Sequence, residues 1–193
     1  DKYIAEDDIW KIFNLLAEDF KINRAYQAAL KSGKLKKLGM TMPNRLEIMK
    51  MYSDAGVWVA CRIQPLIIEL TEPIIIEFLG KLKDAGVSHV MVEGLKFMSG
   101  NNHANKRISK VISNITGKNF NLMSYYKDIG AKNSGNDLEL PSWRKYKYVK
   151  IFADECKRLG MTFGAADNDL RFMGDSPCCC GVDTLEGFEN TIK

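Results

Sequence analysis

Three segments of the chain share one order of residues: an amphipathic stretch, a break at glycine, a short apolar run and then polar residues. They read SDAGVWVACRIQ at 53–64, KDAGVSHVMVEGLK at 83–96 and KRLGMTFGAADND at 157–169. The glycine suits the left-handed end of a helix, and the apolar run after it suits a buried parallel strand. The pattern therefore predicts an α/β fold, and the following segments are its neighbouring parallel strands: Val57–Ile67, Val87–Leu95 and Met161–Ala165.

Apolar residues at helical spacing predict the helices around these strands. They are expected at 6–27, 45–54, 72–84, 105–115, 143–159 and 186–192. The stretch 98–142 is rich in Asn, Gly, Lys and Ser and is interpreted as a loop-rich insertion over the strand ends, with a tyrosine-bearing loop after its helix. The expected organisation is an N-terminal helical segment, 1–40, followed by one α/β unit, 41–193.

Composition limits the class of protein to which the chain can belong, through its size, charge, hydropathy and cysteine content. With 193 residues, of which 46% are hydrophobic, the chain can bury a full core. A net charge of +4 permits a nucleic-acid or phosphate partner but is too small to define a dedicated nucleic-acid-binding protein. No apolar run approaches the ~20 residues of a membrane span, and five cysteines, three of them consecutive, do not form a disulfide framework. A cytoplasmic protein without a membrane partner is expected.

Polar residues follow each predicted strand. Because ligands of parallel α/β folds bind at the carboxyl ends of the strands, these residues are candidates for one shared site. They are Arg62, Gln64, Glu93, Lys96, Asp167, Asn168 and Asp169. Arg62 is either half of a structural ion pair or a fork for a carboxylate or phosphate. Lys96 is either a Schiff-base lysine or a surface lysine, and the group at 167–169 either caps a turn or holds a ligand.

The run Cys178-Cys179-Cys180 has three readings. Neighbouring side chains diverge, so at most two of these thiols, Cys178 and Cys180, would ligate one metal centre. A zinc or iron–sulfur site would need further cysteines, and only Cys61 and Cys156 remain. The other readings are an activated thiol and a loop that packs small side chains over the end of the fold.

From about Thr41 onwards, the chain resembles the C-terminal half of a radical S-adenosylmethionine (SAM) barrel, in the branch similar to spore photoproduct lyase and related DNA-repair lyases. The stretches that carry the resemblance are PNRLEIMKMYSDAGVWVACRIQPLI, LKDAGVSHVMVEGLKF and RLGMTFGAADNDL with the CCG that follows. The resemblance implies a partial (β/α) TIM-type barrel and SAM with a [4Fe–4S] cluster as cofactors. The family's Cys-x3-Cys-x2-Cys loop is absent from this sequence, so the cluster is not expected on this chain alone.

The resemblance also distributes roles among the candidate residues. It implies that three residues bind SAM, namely Arg62, Gln64 and Glu93. The implied catalytic residues are Lys96, Asp167 and Cys179, and the implied substrate-binding residues are Asn168 and Asp169. The implied function is part of a radical SAM enzyme, lyase or repair-like, with nucleic acid as a candidate substrate. An N-terminal half or a companion chain would carry the cluster loop.

Two alternatives from other classes stay open. One is a cofactor-independent aldolase or lyase with Lys96 as its amine nucleophile, which a depressed Lys96 pKa would favour. The other is a non-catalytic module in which the cysteine run binds a metal or a partner.

Overall fold

A computed structural model describes residues 42–67, 74–98 and 103–185. The helices are α1 (Met42–Asp54), α2 (Ile75–Asp84), α3 (His103–Thr116), α4 (Leu122–Asp128) and α5 (Ser142–Arg158). The strands are β1 (Ala60–Leu66), β2 (His89–Gly94), β3 (Phe97–Met98), β4 (Lys132–Ser134), β5 (Asp137–Glu139) and β6 (Thr162–Ala165). Two 3-10 helices follow β6, at Asn168–Met173 and Val182–Thr184. The helices predicted at 6–27 and 186–192 and the segment 1–40 lie outside the described residues.

The three predicted strands pair as one parallel sheet. Its order is β1-β2-β6, so β2 lies in the centre. Arg62 is in register with Met91, which is in register with Gly164. The prediction of neighbouring parallel strands is therefore confirmed. In the part of the chain that the structure describes, this sheet has three strands and does not close into a barrel.

Each strand of the sheet follows a helix that ends at glycine, as the pattern predicts. Gly56, Gly86 and Gly160 have φ angles of 79°, 76° and 67°, in the left-handed region. In each case the next amide donates to the carbonyl five residues earlier, at 2.9–3.0 Å. This bond satisfies a carbonyl that the end of the helix leaves free, and it turns the chain into the strand.

One face of the sheet is the hydrophobic core. Alternate residues of the strands point to it, and α2 and α5 cover it. The strand residues in this core are Cys61, Ile63, Val90, Val92, Phe163 and Ala165, and the helix residues include Leu79, Leu82, Val149 and Phe152. Because parallel strands need helices to cover them, this arrangement agrees with the sequence pattern.

The other face of the sheet is polar. It presents Arg62 of β1, His89 and Glu93 of β2, and Thr162 of β6. The segment 175–181, the cysteine loop, packs on this face against Gly164, and its Cys179 carbonyl oxygen lies 3.0 Å from His89 Nε2. Toward the carboxyl ends, Arg62 and Gln64 are exposed.

The insertion is more regular than the sequence analysis expects. It contains α3, α4 and a small antiparallel sheet of order β3-β5-β4. The tyrosine-bearing loop is in fact α4, because the Asn121 side chain accepts from the Ser124 amide at 3.0 Å and caps the helix. Gly130, with φ of 94°, ends it. The residues KDIGA at 127–131 repeat KDAGV at 83–87, so the signal for this helix end was present in the sequence.

Candidate functional site at the strand ends

The carboxyl ends of β1 and β2 carry an ion pair on the polar face. The Arg62 guanidinium contacts the Glu93 carboxylate, and these side chains are 46% and 14% exposed. Lys96, just after β2, places its Nζ 3.6 Å from Glu93 Oε1. The guanidinium is therefore accessible to solvent at the carboxyl ends of β1 and β2.

Asp167 lies behind this pair, two residues after β6, and is 2% exposed. Its Oδ2 accepts from the Gly94 amide at 2.8 Å, which joins the end of β6 to the end of β2. Its Oδ1 lies 3.4 Å from Lys145 Nζ and 3.5 Å from Lys96 Nζ. A buried carboxylate needs such partners, since an unpaired buried charge is strongly destabilising.

Lys145 completes the arrangement from the first turns of α5. Its Nζ lies 2.9 Å from Asp169 Oδ1, and the Ser142 hydroxyl donates to Asp169 Oδ2 at 2.5 Å. We call the six ionised side chains the charged cluster; they are Arg62, Glu93, Lys96, Lys145, Asp167 and Asp169. The cluster alternates in sign, with three cations and three anions in contact.

Sequence reasoning missed Lys145, although a signal exists. Lys145 lies three and four residues before Tyr148 and Val149 and seven before Phe152, all of them buried. It is therefore a lysine within the apolar stripe of a helix, a position that is buried only when the ammonium is paired.

The pKa values of the cluster bear on its chemistry. Burial alone would lower the pKa of Lys96, but the Asp167 and Glu93 carboxylates outweigh it and raise that pKa above its ordinary value. A raised pKa keeps the amine protonated, which is the opposite of what a Schiff-base nucleophile needs. For Asp169, hydrogen bonds from Ser142 and Lys145 outweigh burial and lower the pKa.

Three predicted site residues are not part of the charged cluster: Gln64, Asn168 and Cys179. Gln64 is exposed two residues beyond Arg62. Asn168 accepts from Arg171 Nη2 at 2.9 Å, at the start of the 3-10 helix. Cys179 is not brought to the charged cluster. Its carbonyl oxygen lies 3.0 Å from His89 Nε2 and packs against Gly164, which is in register with Met91 in the centre of the sheet.

The position of the cysteine loop follows from a close approach to the sheet. A Cβ at Gly164 would collide with the Cys179 carbonyl oxygen and lie 3.1 Å from the Cys179 Cα. Only glycine therefore lets the loop lie flat on β6. The expectation that this loop joins the Asp167 group at one site stays a prediction, since the loop contacts His89 at the start of β2 and Gly164 near the end of β6.

The thiols fall into two groups. Burial raises the pKa of Cys61 to about 11 and that of Cys156 to about 12, so both are unreactive. Cys178, Cys179 and Cys180 are partly exposed. Within 42–67, 74–98 and 103–185, no group of three or more His, Cys, Asp or Glu side chains is arranged to hold a metal ion.

The insertion carries a concentrated positive charge. Residues 103–134 contain six Lys or Arg and one Asp, whereas the whole chain has a net charge of +4. An open groove of about 670 Å³ lies between α3 and α4. Its lining is polar and basic, with Lys106, Lys110 and Lys127 beside serine and asparagine side chains and Phe120.

Comparisons of the chain with protein-family models, with curated proteins and with solved structures found no match. Among the described helices, none combines the length and the hydropathy that crossing a bilayer requires.

Proposed function

We propose that residues 41–193 are the C-terminal half of a radical SAM-type barrel, from a lyase or repair-like enzyme, and that the charged cluster binds the amino-acid end of SAM. The observation that carries this proposal is the ion pair of Arg62 and Glu93 on the face opposite α2 and α5, at the carboxyl ends of adjacent parallel strands. Ligands of parallel α/β folds bind at this end.

The cluster suits a zwitterionic ligand. The amino-acid end of SAM carries a carboxylate and an ammonium group, and a guanidinium beside a carboxylate offers the complementary charges. Arg62 would hold the ligand carboxylate through two parallel hydrogen bonds, and Glu93 would accept from the ammonium group. Because Arg62 is half exposed, this exchange of partners does not require a buried pair to open.

The buried part of the cluster positions the exposed part. Asp167 joins the Gly94 amide to Lys145, and Lys96 contacts both Asp167 and Glu93. These bonds hold the ends of β2 and β6 and the start of α5 in one geometry. Lys145 and Asp167 are therefore positioning residues in this proposal, and Lys96 keeps a positive charge beside the ligand site.

A bound SAM supplies hydrogen abstraction when a reduced [4Fe–4S] cluster accompanies it. The described residues do not fit that cluster, because they provide no set of three metal-binding side chains. We therefore assign the cluster to an N-terminal half or a companion chain, and no step on this chain is derived through it.

Nucleic acid is the substrate class that the insertion favours. The groove between α3 and α4 combines lysines with amide and hydroxyl groups, which bind phosphate oxygens, and Phe120 offers a face for stacking. Such contacts release counterions, so binding through this groove would weaken steeply with salt.

The SAM proposal is tested by calorimetric titration of the chain with three ligands. S-adenosylhomocysteine keeps the amino-acid end of SAM, whereas methylthioadenosine lacks it. We expect the first to bind about as well as SAM and the second at least ~10-fold more weakly, because a charge-assisted bidentate contact contributes roughly 1.5–3 kcal/mol.

The Arg62→Gln substitution should weaken the binding of SAM by a similar factor. Arg158→Gln is the matched control, since Arg158 pairs with Glu155 at the far end of α5. Equal affinity for methylthioadenosine, or no effect of Arg62→Gln, would overturn the assignment of the site.

The substrate proposal is tested by fluorescence anisotropy with a labelled single-stranded oligonucleotide at several salt concentrations. The triple variant Lys106→Gln, Lys110→Gln, Lys127→Gln should weaken binding. It should also reduce the slope of log K against log[salt] by up to about 2, because each phosphate contact to a single strand contributes roughly 0.7 to that slope. Replacing Lys50, Lys83 and Lys150 by Gln changes the net charge equally and should have little effect. Equal effects of the two triples would contradict a specific groove. Oligonucleotide binding without any SAM binding would contradict the SAM site and leave only a nucleic-acid-binding role for the groove.

A further inference from the structure

Cys178 and Cys180 lie side by side in a closed turn. The Gly181 amide donates to the Cys178 carbonyl at 3.0 Å, so residues 178–181 form a β-turn with the two thiols at its first and third positions. The two side chains are close enough for each thiol to shift the pKa of the other. First and third Cα atoms of such a turn are roughly 5.5 Å apart, within the range that a disulfide spans.

The turn is held before any reaction takes place. The Ser176 hydroxyl lies 2.8 Å from the Cys178 carbonyl oxygen and 2.7 Å from Asp183 Oδ1. The Cys178 amide donates to Asp183 Oδ2 at 3.3 Å. Gly181 has a φ of 72°, and a Cβ there would collide with the His89 ring. The thiols therefore project from a turn that is fastened both to itself and to the sheet.

The two thiols are also unlike each other. The hydrogen bond from Cys180 lowers the pKa of Cys178, and the same contact raises the pKa of Cys180. Cys178 is therefore the thiol that attacks first, and Cys180 is the thiol that reacts second. Because both are partly exposed, a small disulfide can reach them, in contrast to the buried Cys61 and Cys156.

We propose that Cys178 and Cys180 form a redox-active dithiol that reduces low-molecular-weight disulfides of the glutathione type. The Cys178 thiolate attacks one sulfur of the external disulfide, which forms a mixed disulfide and releases one thiolate. Cys180 then loses its proton and attacks the Cys178 sulfur, which releases the second thiolate and closes the Cys178–Cys180 bond. Two electrons pass from the dithiol to the external disulfide, and two protons leave with its two thiols.

This site is independent of the charged cluster, and its test does not use enzyme activity. The reduced chain is incubated with oxidised glutathione, alkylated and digested with trypsin. We expect the peptide that follows Arg171 to lose two hydrogens, with Cys179 alkylated and Cys61 and Cys156 unmodified until the chain is denatured.

Variants separate the two sulfurs. Cys180→Ser should accumulate a stable glutathione adduct on Cys178, Cys178→Ser should react at least ~10-fold more slowly, and Cys179→Ser should react like the unchanged chain. A disulfide that includes Cys179, or equal reaction rates in folded and denatured chain, would overturn the proposal. Tight zinc binding that blocks the reaction would also overturn it and would make the turn a metal site.

Discussion

The two faces of the β1-β2-β6 sheet are built from alternate residues of the same strands, yet they differ completely. The face under α2 and α5 is apolar and closed, with Phe163 and Val92 almost fully buried. The opposite face carries Arg62, His89 and Glu93 and is partly covered by the cysteine loop. We infer that stability is concentrated on the first face, and that the second face is where a ligand can change contacts at low cost.

The largest expected effect comes from opening the apolar face. Phe163→Ala should lower the free energy of unfolding by about 3–4 kcal/mol, because it removes a buried ring and leaves a cavity. Thr162→Ala, one residue away on the polar face, removes the hydroxyl contacts with His89 Nδ1 at 2.8 Å and with the Ser88 carbonyl at 3.3 Å, and should cost about 1 kcal/mol. Urea denaturation of both variants measures the difference. Equal losses would mean that the faces do not differ in this way.

The buried part of the charged cluster comes next. Lys145→Met should cost on the order of 2–3 kcal/mol, because it leaves Asp167 buried with a weaker set of partners. Lys150→Met removes the same charge from an exposed pair on the same helix and should change stability little, because solvent screens that pair. Denaturation at neutral pH compares the two variants. A loss for Lys145→Met as small as that for Lys150→Met would contradict the positioning role.

The Gly164→Ala substitution tests the packing of the cysteine loop against β6. The new methyl group would collide with the Cys179 backbone, so the loop must shift, at a cost of about 1–3 kcal/mol. Faster alkylation of Cys179 should accompany the loss of stability. Gly80→Ala is the control, since a Cβ there meets nothing within 4 Å and should stabilise α2 by roughly 0.5–1 kcal/mol. Unchanged Cys179 alkylation in Gly164→Ala would place the loop elsewhere.

The smallest effect concerns the pH dependence of Lys96. Its pKa is raised in the folded chain, so its contribution to stability is complete below the ordinary value of about 10.5 and is lost as pH rises through the raised value. Since the side chain is a third exposed, that contribution should stay below about 1 kcal/mol. The stability difference between the unchanged chain and Lys96→Met should be constant from pH 7 to 9 and shrink above pH 10.5. A difference that grows at high pH would contradict the ion pairs.

Much of the candidate site was predictable, because parallel strands in one sheet bring their carboxyl ends together. Arg62, Glu93 and Asp167 were expected at the same end of the sheet, and Lys96 links Glu93 to Asp167. Lys145 was not expected, since its burial depends on how α5 returns from the insertion to the sheet. The amphipathic pattern of a helix predicts which face is apolar. It does not predict which residue will pair with a charged side chain on that face.

The sequence by itself determined the local events: where helices end at glycine, which runs become strands, and that the strands are parallel. These follow from backbone sterics and from the periodicity of apolar residues, which act over a few neighbours. Only the tertiary structure decided that the cysteine loop lies on the polar face against His89 and Gly164, and that Asp167 pairs with a lysine 22 residues earlier. Such contacts join distant segments, and their geometry depends on the packing of the whole unit.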